Sequence, residues 1–309
     1  MTGQAIRAFA ICGPTSSGKS EIALRVAQHI GGEIINADSR QVYRDLEIGT
    51  GAPSGDALAR VPHHLYAFVD PCVRYSAGAY VNDATRAVEA VAARGRVPIV
   101  VGGTGLYVEA LAGTMPLDRP FADEMVRERV RREASAHGHP FLRAWLETID
   151  PAAARRIPGG DRYRTLRALE AVFASRAALP AKAAAPHFRL ALTIFVLTLE
   201  RAALVERIEQ RVQSMFERGI VEEAVAVRRR CADAPALTGL GFAEAVGWYL
   251  GISTWHEAIR DTVRRTVRYA KRQQTWFRRM HDVRAVDASD PDAAAAAIVE
   301  AARERASPA

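Results

Sequence analysis

The sequence predicts an α/β fold, a parallel sheet flanked by helices and interrupted by an all-helical insertion. Three observations predict it. Short apolar runs alternate with helical patterns over the first hundred or so residues, an order that favours parallel strands joined by covering helices. A Gly-rich turn separates the first apolar run from the first helix. Strand-like runs then vanish between about Arg119 and Ala177, and a strong one returns at Leu190.

The elements follow in order. Ala8 to Cys12 reads as a buried strand, with a helix from Lys19 to His29 after the turn. Glu33 to Ala37 is a second strand ending at Asp38, and Leu65 to Val69 is expected as a third. A helix around Tyr80 to Ala93 leads to the strand Val97 to Val101, which runs into Gly102-Gly103. Arginine-rich helical segments come next. Ser175 to Pro186, dominated by alanine and proline, reads as a linker. Leu190 to Leu197 is an apolar strand expected to rejoin the sheet; helices follow, with a short strand near Asp282 to Val286. The division is therefore residues 1–118 for the first part of the core, 119–187 for the helical insertion, and 188–309 for the return strand and C-terminal helices. No internal repeat is visible.

Bulk properties narrow the function classes. Among 309 residues, 49% are hydrophobic and 25% charged, an ordinary globular balance that excludes a disordered or fibrous chain. No apolar run approaches the roughly 20 residues of a membrane-spanning helix, so no membrane partner is expected. Met1 to Arg7 lack the flank and apolar stretch of a secretory signal. Three dispersed cysteines, Cys12, Cys72 and Cys231, fit a reducing cytoplasm better than a disulfide framework. A net charge of +7 points weakly to a polyanionic partner.

Gly13-Pro14-Thr15-Ser16-Ser17-Gly18-Lys19-Ser20 matches G-x-x-x-x-G-K-[ST] at every fixed position. Glycines let the backbone curl so that successive N–H groups point at one anion, and the following helix adds its positive end. Lys19 neutralises phosphate oxygens, and the Ser20 hydroxyl is a candidate ligand for Mg²⁺. With a strand before it and a helix after it, this is a phosphate-binding P-loop, and the core is P-loop NTPase-like. A P-loop names a diphosphate or triphosphate group without naming a reaction. The strand ending at Val101 offers no carboxylate for a metal; the well-placed acid is Asp38, at the carboxyl end of the second strand, where ligands sit in such sheets. From position alone, Asp38 faces the P-loop ligand or caps the next turn.

Taken together, these segments resemble the tRNA dimethylallyltransferases, also called tRNA isopentenyltransferases. The resemblance runs through the P-loop, Asp38-Ser39-Arg40-Gln41-Val42-Tyr43, Ile48-Gly49-Thr50, His63-His64-Leu65, Asp70-Pro71, Tyr75-Ser76 and Val101 to Tyr107. It continues through Arg164, Arg167 to Glu170 and Arg268 to Arg278, nearly the whole chain in family order. It implies transfer of a dimethylallyl group from dimethylallyl diphosphate to N6 of the adenine 3′ of the anticodon, in tRNAs reading codons that start with U, with Mg²⁺ as cofactor. It also implies roles. Asp38 matches the general base, and Thr104 the threonine near the leaving oxygen, a residue that position alone equally suits to helix capping. Arg207 and Arg211 match phosphate-facing arginines. Asp38, Ser39, Arg40 and Gln41 match the segment that reads the extruded adenine. Arg127, Tyr163, Arg164, Thr165, Leu166 and Arg167, with Lys271, Arg272, Gln273, Thr275 and Arg278, match positions contacting tRNA. The insertion matches the part that clasps the anticodon stem-loop.

Charge placement agrees with an RNA partner. Arg260 to Arg279 holds eight basic side chains and one acid, Asp261. Tyr269, Trp276 and Phe277 alternate with them, and core packing is favoured for the last two. Two departures concern local RNA contacts. The family's Thr-Ala-Lys-Pro is Thr50-Gly51-Ala52-Pro53 here, and its Gly-Tyr-Arg-Gln-like turn is Gly241-Phe242-Ala243-Glu244. His63 and His64 have no role in the reaction. Rival readings are a small-molecule P-loop kinase, prenyl transfer to free adenine nucleotides, and a nucleotide-binding RNA-binding module with no transfer activity. The expected protein is a cytoplasmic monomer.

Overall fold

A computed structural model describes residues 5–53, 55–115, 124–175 and 190–304. Two compact units divide the chain: Met1–Pro116 with Pro186–Ala309, and Leu117–Ala185. The linker expected after Ser175 and the boundaries set at 118/119 and 187/188 lie outside the described residues.

In the first unit, β1 (Ile6–Cys12) leads through the P-loop to α1 (Lys19–Ile30), then β2 (Gly32–Asn36), α2 (Glu47–Thr50), α3 (Gly55–Arg60) and β3 (His63–His64). α4 (Ala77–Ala93), β4 (Val97–Gly102) and α5 (Gly105–Ala112) follow. The second unit contains α6 (Glu124–Ile149), interrupted at Gly138 with φ 76°, α7 (Pro151–Arg156) and α8 (Arg162–Ser175). They enclose their own core of Val130, Leu142, Leu146 and Leu169. The chain returns to the first unit with β5 (Leu190–Thr198), α9 (Arg201–Arg218), α10 (Ile220–Arg230), a 3₁₀ turn at Pro235–Thr238, α11 (Phe242–Tyr249), α12 (Trp255–Phe277), β6 (Val283–Asp287) and α13 (Pro291–Glu304).

The six described strands form one sheet in the order β3-β2-β4-β1-β5-β6, all parallel. Ala8 to Cys12 of β1 and the whole of β2 are buried because helices cover both faces. α1 and α13 bury Ile22, Val26, Ile298 and Val299 against one face. α4, α5 and the end of α12 bury Tyr80, Val108 and Phe277 against the other. A further core unites α9 to α12 with Val42, Tyr43 and Leu46. The return strand lies where expected, paired with β1 from Ile6↔Leu190 to Cys12↔Val196.

The third strand differs from expectation. It is the dipeptide His63–His64, and the residues after it leave the sheet because Leu65 and Ala67 adopt φ values of 64° and 46°. Ala67 and Phe68 instead donate their backbone N–H groups to the Gln41 and Val42 carbonyls, at 2.9 Å each, which props the loop after β2. The two histidines have structural partners: His64 Nε2 lies 2.7 Å from Glu33 Oε2, and His63 Nδ1 lies 2.7 Å from the Val61 carbonyl. As expected, all three cysteines are free, and the neighbouring Cys231 thiol and burial hold the Cys72 thiol above its ordinary pKa. No helix among the described residues is long and apolar enough to cross a membrane.

Candidate active site

Three strand ends build the site. β1 opens into the P-loop, where Gly18 takes φ 86° and starts α1 without a side-chain cap. That conformation suits glycine, and the helix's first N–H groups are left for an anion. The Ser16 and Ser17 hydroxyls are buried there with no hydrogen-bond partner, although a buried hydroxyl is costly to leave unpaired. Ser16 lines the cleft, where an anion's oxygens would satisfy its hydroxyl. Lys19 Nζ donates to the Pro14 carbonyl at 2.7 Å, which leaves two further N–H donors. Burial pushes its pKa down to about 8, opposed by the nearby Asp38 carboxylate and reinforced by Arg211.

β2 delivers the loop Asp38 to Gln41, and nearly every residue of it is pinned. Asp38 N–H donates to Asn36 Oδ1 at 2.8 Å, and Asp38 Oδ1 accepts the Arg40 N–H at 2.9 Å. The turn-capping role therefore occupies one carboxylate oxygen and leaves Oδ2 for another partner. Arg40 Nη1 donates to Thr238 Oγ1, while Gln41 Nε2 is held by the Thr50 and Gly51 carbonyls. From the end of β4, Thr104 Oγ1 accepts the Ser39 N–H at 3.0 Å and lies 3.3 Å from Ser39 Oγ. It makes no side-chain cap to α5, although it occupies the cap position, so the capping alternative falls.

α9 closes the site. Arg211 donates to Thr15 Oγ1 at 3.2 Å and to the Thr50 carbonyl at 2.9 Å. Its pKa is lowered by burial, with Asp38 opposing. Arg207 lines the same cleft of about 580 Å³, together with Thr15, Ser16, Gly18, Lys19, Ser20 and Asp38. A second pocket of about 220 Å³ adjoins it, lined by Arg40, Thr238, Phe242, Tyr269 and Arg272 among others. The two share Thr15, Asp38, Thr50 and Arg211. A carboxylate thus stands between a cationic, hydroxyl-rich cleft and a pocket with an aromatic wall. That arrangement suits an anionic leaving group on one side and a planar acceptor on the other.

The sequence-predicted RNA contacts divide. Arg268, Lys271, Arg272, Thr275 and Arg278 are exposed on or just beyond α12. Tyr163 and Arg164 are exposed on α8 of the second unit, Leu166 packs on that unit's core, and Arg127 is half-buried on α6. Arg164 and Arg167 pair with Asp161 and Glu170. Two of the residues face inward. The Thr165 side chain is fully buried, its hydroxyl spent on the Asp161 carbonyl, because it faces the packed side of α8. Gln273, only 5% exposed, faces inward and contacts the P-loop and the Gly103 carbonyl. As expected, Phe277 is core, while Trp276 packs on Gly105 and donates Nε1–H to Glu109 Oε2.

Two further residues complete the site, and Glu223 carried no sequence signal. Glu223 accepts the Ile48 and Gly49 N–H groups at 2.7 and 2.9 Å, holding α2 and hence Thr50 in place. Burial raises its pKa, with those hydrogen bonds opposing. Tyr269 touches Thr104, and burial pushes its phenol up to about 12. The i, i+4 spacing to Gln273 and the aromatic character were visible; the side of the helix they serve was not.

Known proteins supply the remaining constraint. The family model described as IPP transferase matches residues 41–280, and that for isopentenyl transferase matches residues 6–66. The tRNA dimethylallyltransferase of Geobacter sulfurreducens is 41% identical over 285 residues, covering 90% of each chain. That of Halorhodospira halophila is 41% identical over 280 residues, covering 88% of this chain and 90% of its own. Among solved structures, the tRNA isopentenylpyrophosphate transferase of Bacillus halodurans superposes with a TM-score of 0.72 at 33% identity, covering 98% and 97%. A eukaryotic dimethylallyltransferase acting on tRNA gives a TM-score of 0.78 at 25% identity, covering 97% of this chain and 79% of that one. With a profile spanning most of the sequence, relatives alike over nine-tenths of it and the same fold throughout, the chain belongs to the tRNA dimethylallyltransferase family.

Proposed function

We propose that this chain transfers a dimethylallyl group from dimethylallyl diphosphate to N6 of the adenine 3′ of the anticodon, in tRNAs reading codons that start with U. The observation that carries the reading is the position of Asp38, shared by the phosphate cleft and the aromatic-walled pocket. In the step, the allylic C1–O bond breaks, C1 bonds to N6, and one N6 proton passes to Asp38 Oδ2. Negative charge gathers on the departing diphosphate. Lys19, the Ser16 hydroxyl, Arg207 and Arg211 are the groups that stabilise it. Thr104 orders Ser39 and hence the Asp38 loop, and by its match to the family threonine its hydroxyl would sit near the leaving oxygen.

Ser20 Oγ, in the phosphate cleft, would hold Mg²⁺ together with diphosphate oxygens, as suits a hard cation. Among the described residues no group of three His, Cys, Asp or Glu side chains is placed to hold a metal, so the substrate would supply most of its ligands. Bound there, the ion neutralises charge on the leaving group.

The acceptor amine is stacked in an RNA loop, so the base must be extruded into the pocket beside Tyr269. Phosphate contacts fall to Arg268, Lys271, Arg272 and Arg278 on the open face of α12, and to the second unit, Leu117–Ala185, as the stem-loop clasp. Every proposed group belongs to one chain, so a monomer suffices, working in the cytoplasm where tRNA is matured. The test supplies Mg²⁺ and labelled dimethylallyl diphosphate with either unmodified tRNA or AMP. Label should enter tRNA alone; label in AMP alone, or in neither, overturns the assignment. Asp38→Ala should abolish transfer while tRNA retention persists.

A further inference from the structure

We infer that Gln273 is a positioning residue that holds the two sides of the reaction path in register. The inference rests on the reaction proposed above. Gln273 is almost fully buried on α12, and its amide spans two strand ends. Oε1 accepts the Thr15 N–H at 2.8 Å, and Nε2 donates to the Gly103 carbonyl at 2.8 Å. Thr15 belongs to the P-loop that holds the diphosphate; Gly103 immediately precedes Thr104.

Each tethered residue is held from its other side as well. Thr15 Oγ1 accepts from Arg211, and the Thr104 N–H donates to the Ala37 carbonyl next to Asp38. The staple therefore fixes the distance between the loop that keeps the leaving group and the turn that orders the Asp38 loop. Its fit is tight, since a Cβ on Gly103 would come within 2.3 Å of Gln273 Nε2. A primary amide of this length offers an acceptor and a donor together at every pH; an ionised carboxylate keeps the acceptor and loses the donor. An RNA contact is the opposite role, because the side chain points away from the exposed face that carries Lys271 and Arg272.

The test compares wild type with Gln273→Met, which keeps the bulk and loses both hydrogen bonds, and Gln273→Glu, which regains the donor only when protonated. All three are assayed with labelled dimethylallyl diphosphate and tRNA from pH 6 to 8.5, and thermal melts confirm folding. Ionisable groups on the surrounding elements are Cys12 and Lys19 on β1 and α1, Asp38 after β2, Glu109 on α5, Arg211 on α9, and Tyr269 and Arg272 on α12. Normalising each variant to wild type at the same pH cancels their titration. Gln273→Met should lower kcat by about 30- to 100-fold, with KM for tRNA changed less than about threefold. Gln273→Glu should be as impaired at pH 8 and recover about tenfold relative to wild type by pH 6. A kcat near wild type in the Met variant, a loss confined to KM for tRNA, or a Glu profile parallel to wild type would overturn the positioning role. Hydrogen exchange at the Thr15 amide separates this from the reaction itself: it should accelerate in Gln273→Met even if wild type labels no tRNA. Unchanged exchange defeats the staple, whereas an inactive wild type defeats the assigned reaction.

Discussion

The P-loop and the Gly102–Gly105 turn both end a parallel strand and feed a helix, and both are rich in glycine, yet they use it differently. In the P-loop, Gly18 is needed for its backbone conformation: φ is 86°, while the nearest atom to an added Cβ is 3.6 Å away. In the turn, Gly103 and Gly105 have no positive φ; an added Cβ would lie 2.3 Å from Gln273 or from Trp276. One turn is shaped to receive an anion, the other to receive a helix. The first kind of glycine is a local property and forms a motif. The second exists only because α12, some 170 residues later, lies against it.

Four experiments break or sharpen that comparison. The largest effect is expected where the anion itself is addressed: Lys19→Ala should lower kcat/KM for dimethylallyl diphosphate by about 10³-fold, roughly 4 kcal/mol, with tRNA affinity retained. A filter-binding assay beside the transfer assay checks both halves. Next come the glycines. Gly103→Ala should destabilise by about 1–3 kcal/mol through overpacking, and pairing it with Gln273→Ser should recover much of the melting temperature. Gly18→Ala should cost about 1–2 kcal/mol by conformation, and no partner substitution should relieve it. Coupling at position 18 equal to that at 103 would erase the distinction.

The pH dependence is expected to be smaller. Because the Lys19 pKa is depressed to about 8 and a bound diphosphate favours the ammonium, pyrophosphate affinity should be flat below pH 8. Above it, affinity should fall by up to about tenfold per pH unit. The same shift works oppositely on folding. Between about pH 8 and the ordinary lysine value of 10.5, the unfolded chain holds more of this proton, so the Lys19 contribution to stability rises with pH. Calorimetric titration against pyrophosphate and melts across that window read the two signs separately. The smallest effect is on the outer face of α12: Lys271→Ala should weaken tRNA binding modestly and reduce the slope of log K against log salt by about 0.7–0.9.

Features coded by neighbouring residues were legible in the sequence. The P-loop, the return strand at Leu190 and the acid at the end of β2 are each spelled by contiguous residues, and the ordered set of motifs named the family. The third strand was misplaced because apolar character at Leu65 to Val69 says nothing of the left-handed backbone at Leu65 and Ala67. Thr104 was ambiguous because its cap position is real; only the hydrogen bond from Ser39, 65 residues away in sequence, separates the readings. Gln273 sat in a run of basic residues and shared their apparent role, while its two partners lie 258 and 170 residues upstream. Glu223 was invisible for the same reason. Long-range hydrogen bonds of this kind leave no period or spacing to read.

Gly51 shows how a departure from the family pattern is accommodated. A Cβ on this residue would fall 2.5 Å from Arg211 Nη2, so the guanidinium occupies room that an alanine side chain would claim. Gly51 also holds φ at 65°, a left-handed backbone that glycine adopts without strain, so conformation and neighbour both favour glycine here. Grafting Ala-Lys onto Gly51-Ala52 would therefore strain the backbone at position 51 and make the Arg211 guanidinium shift, loosening its hydrogen bond to the Thr50 carbonyl.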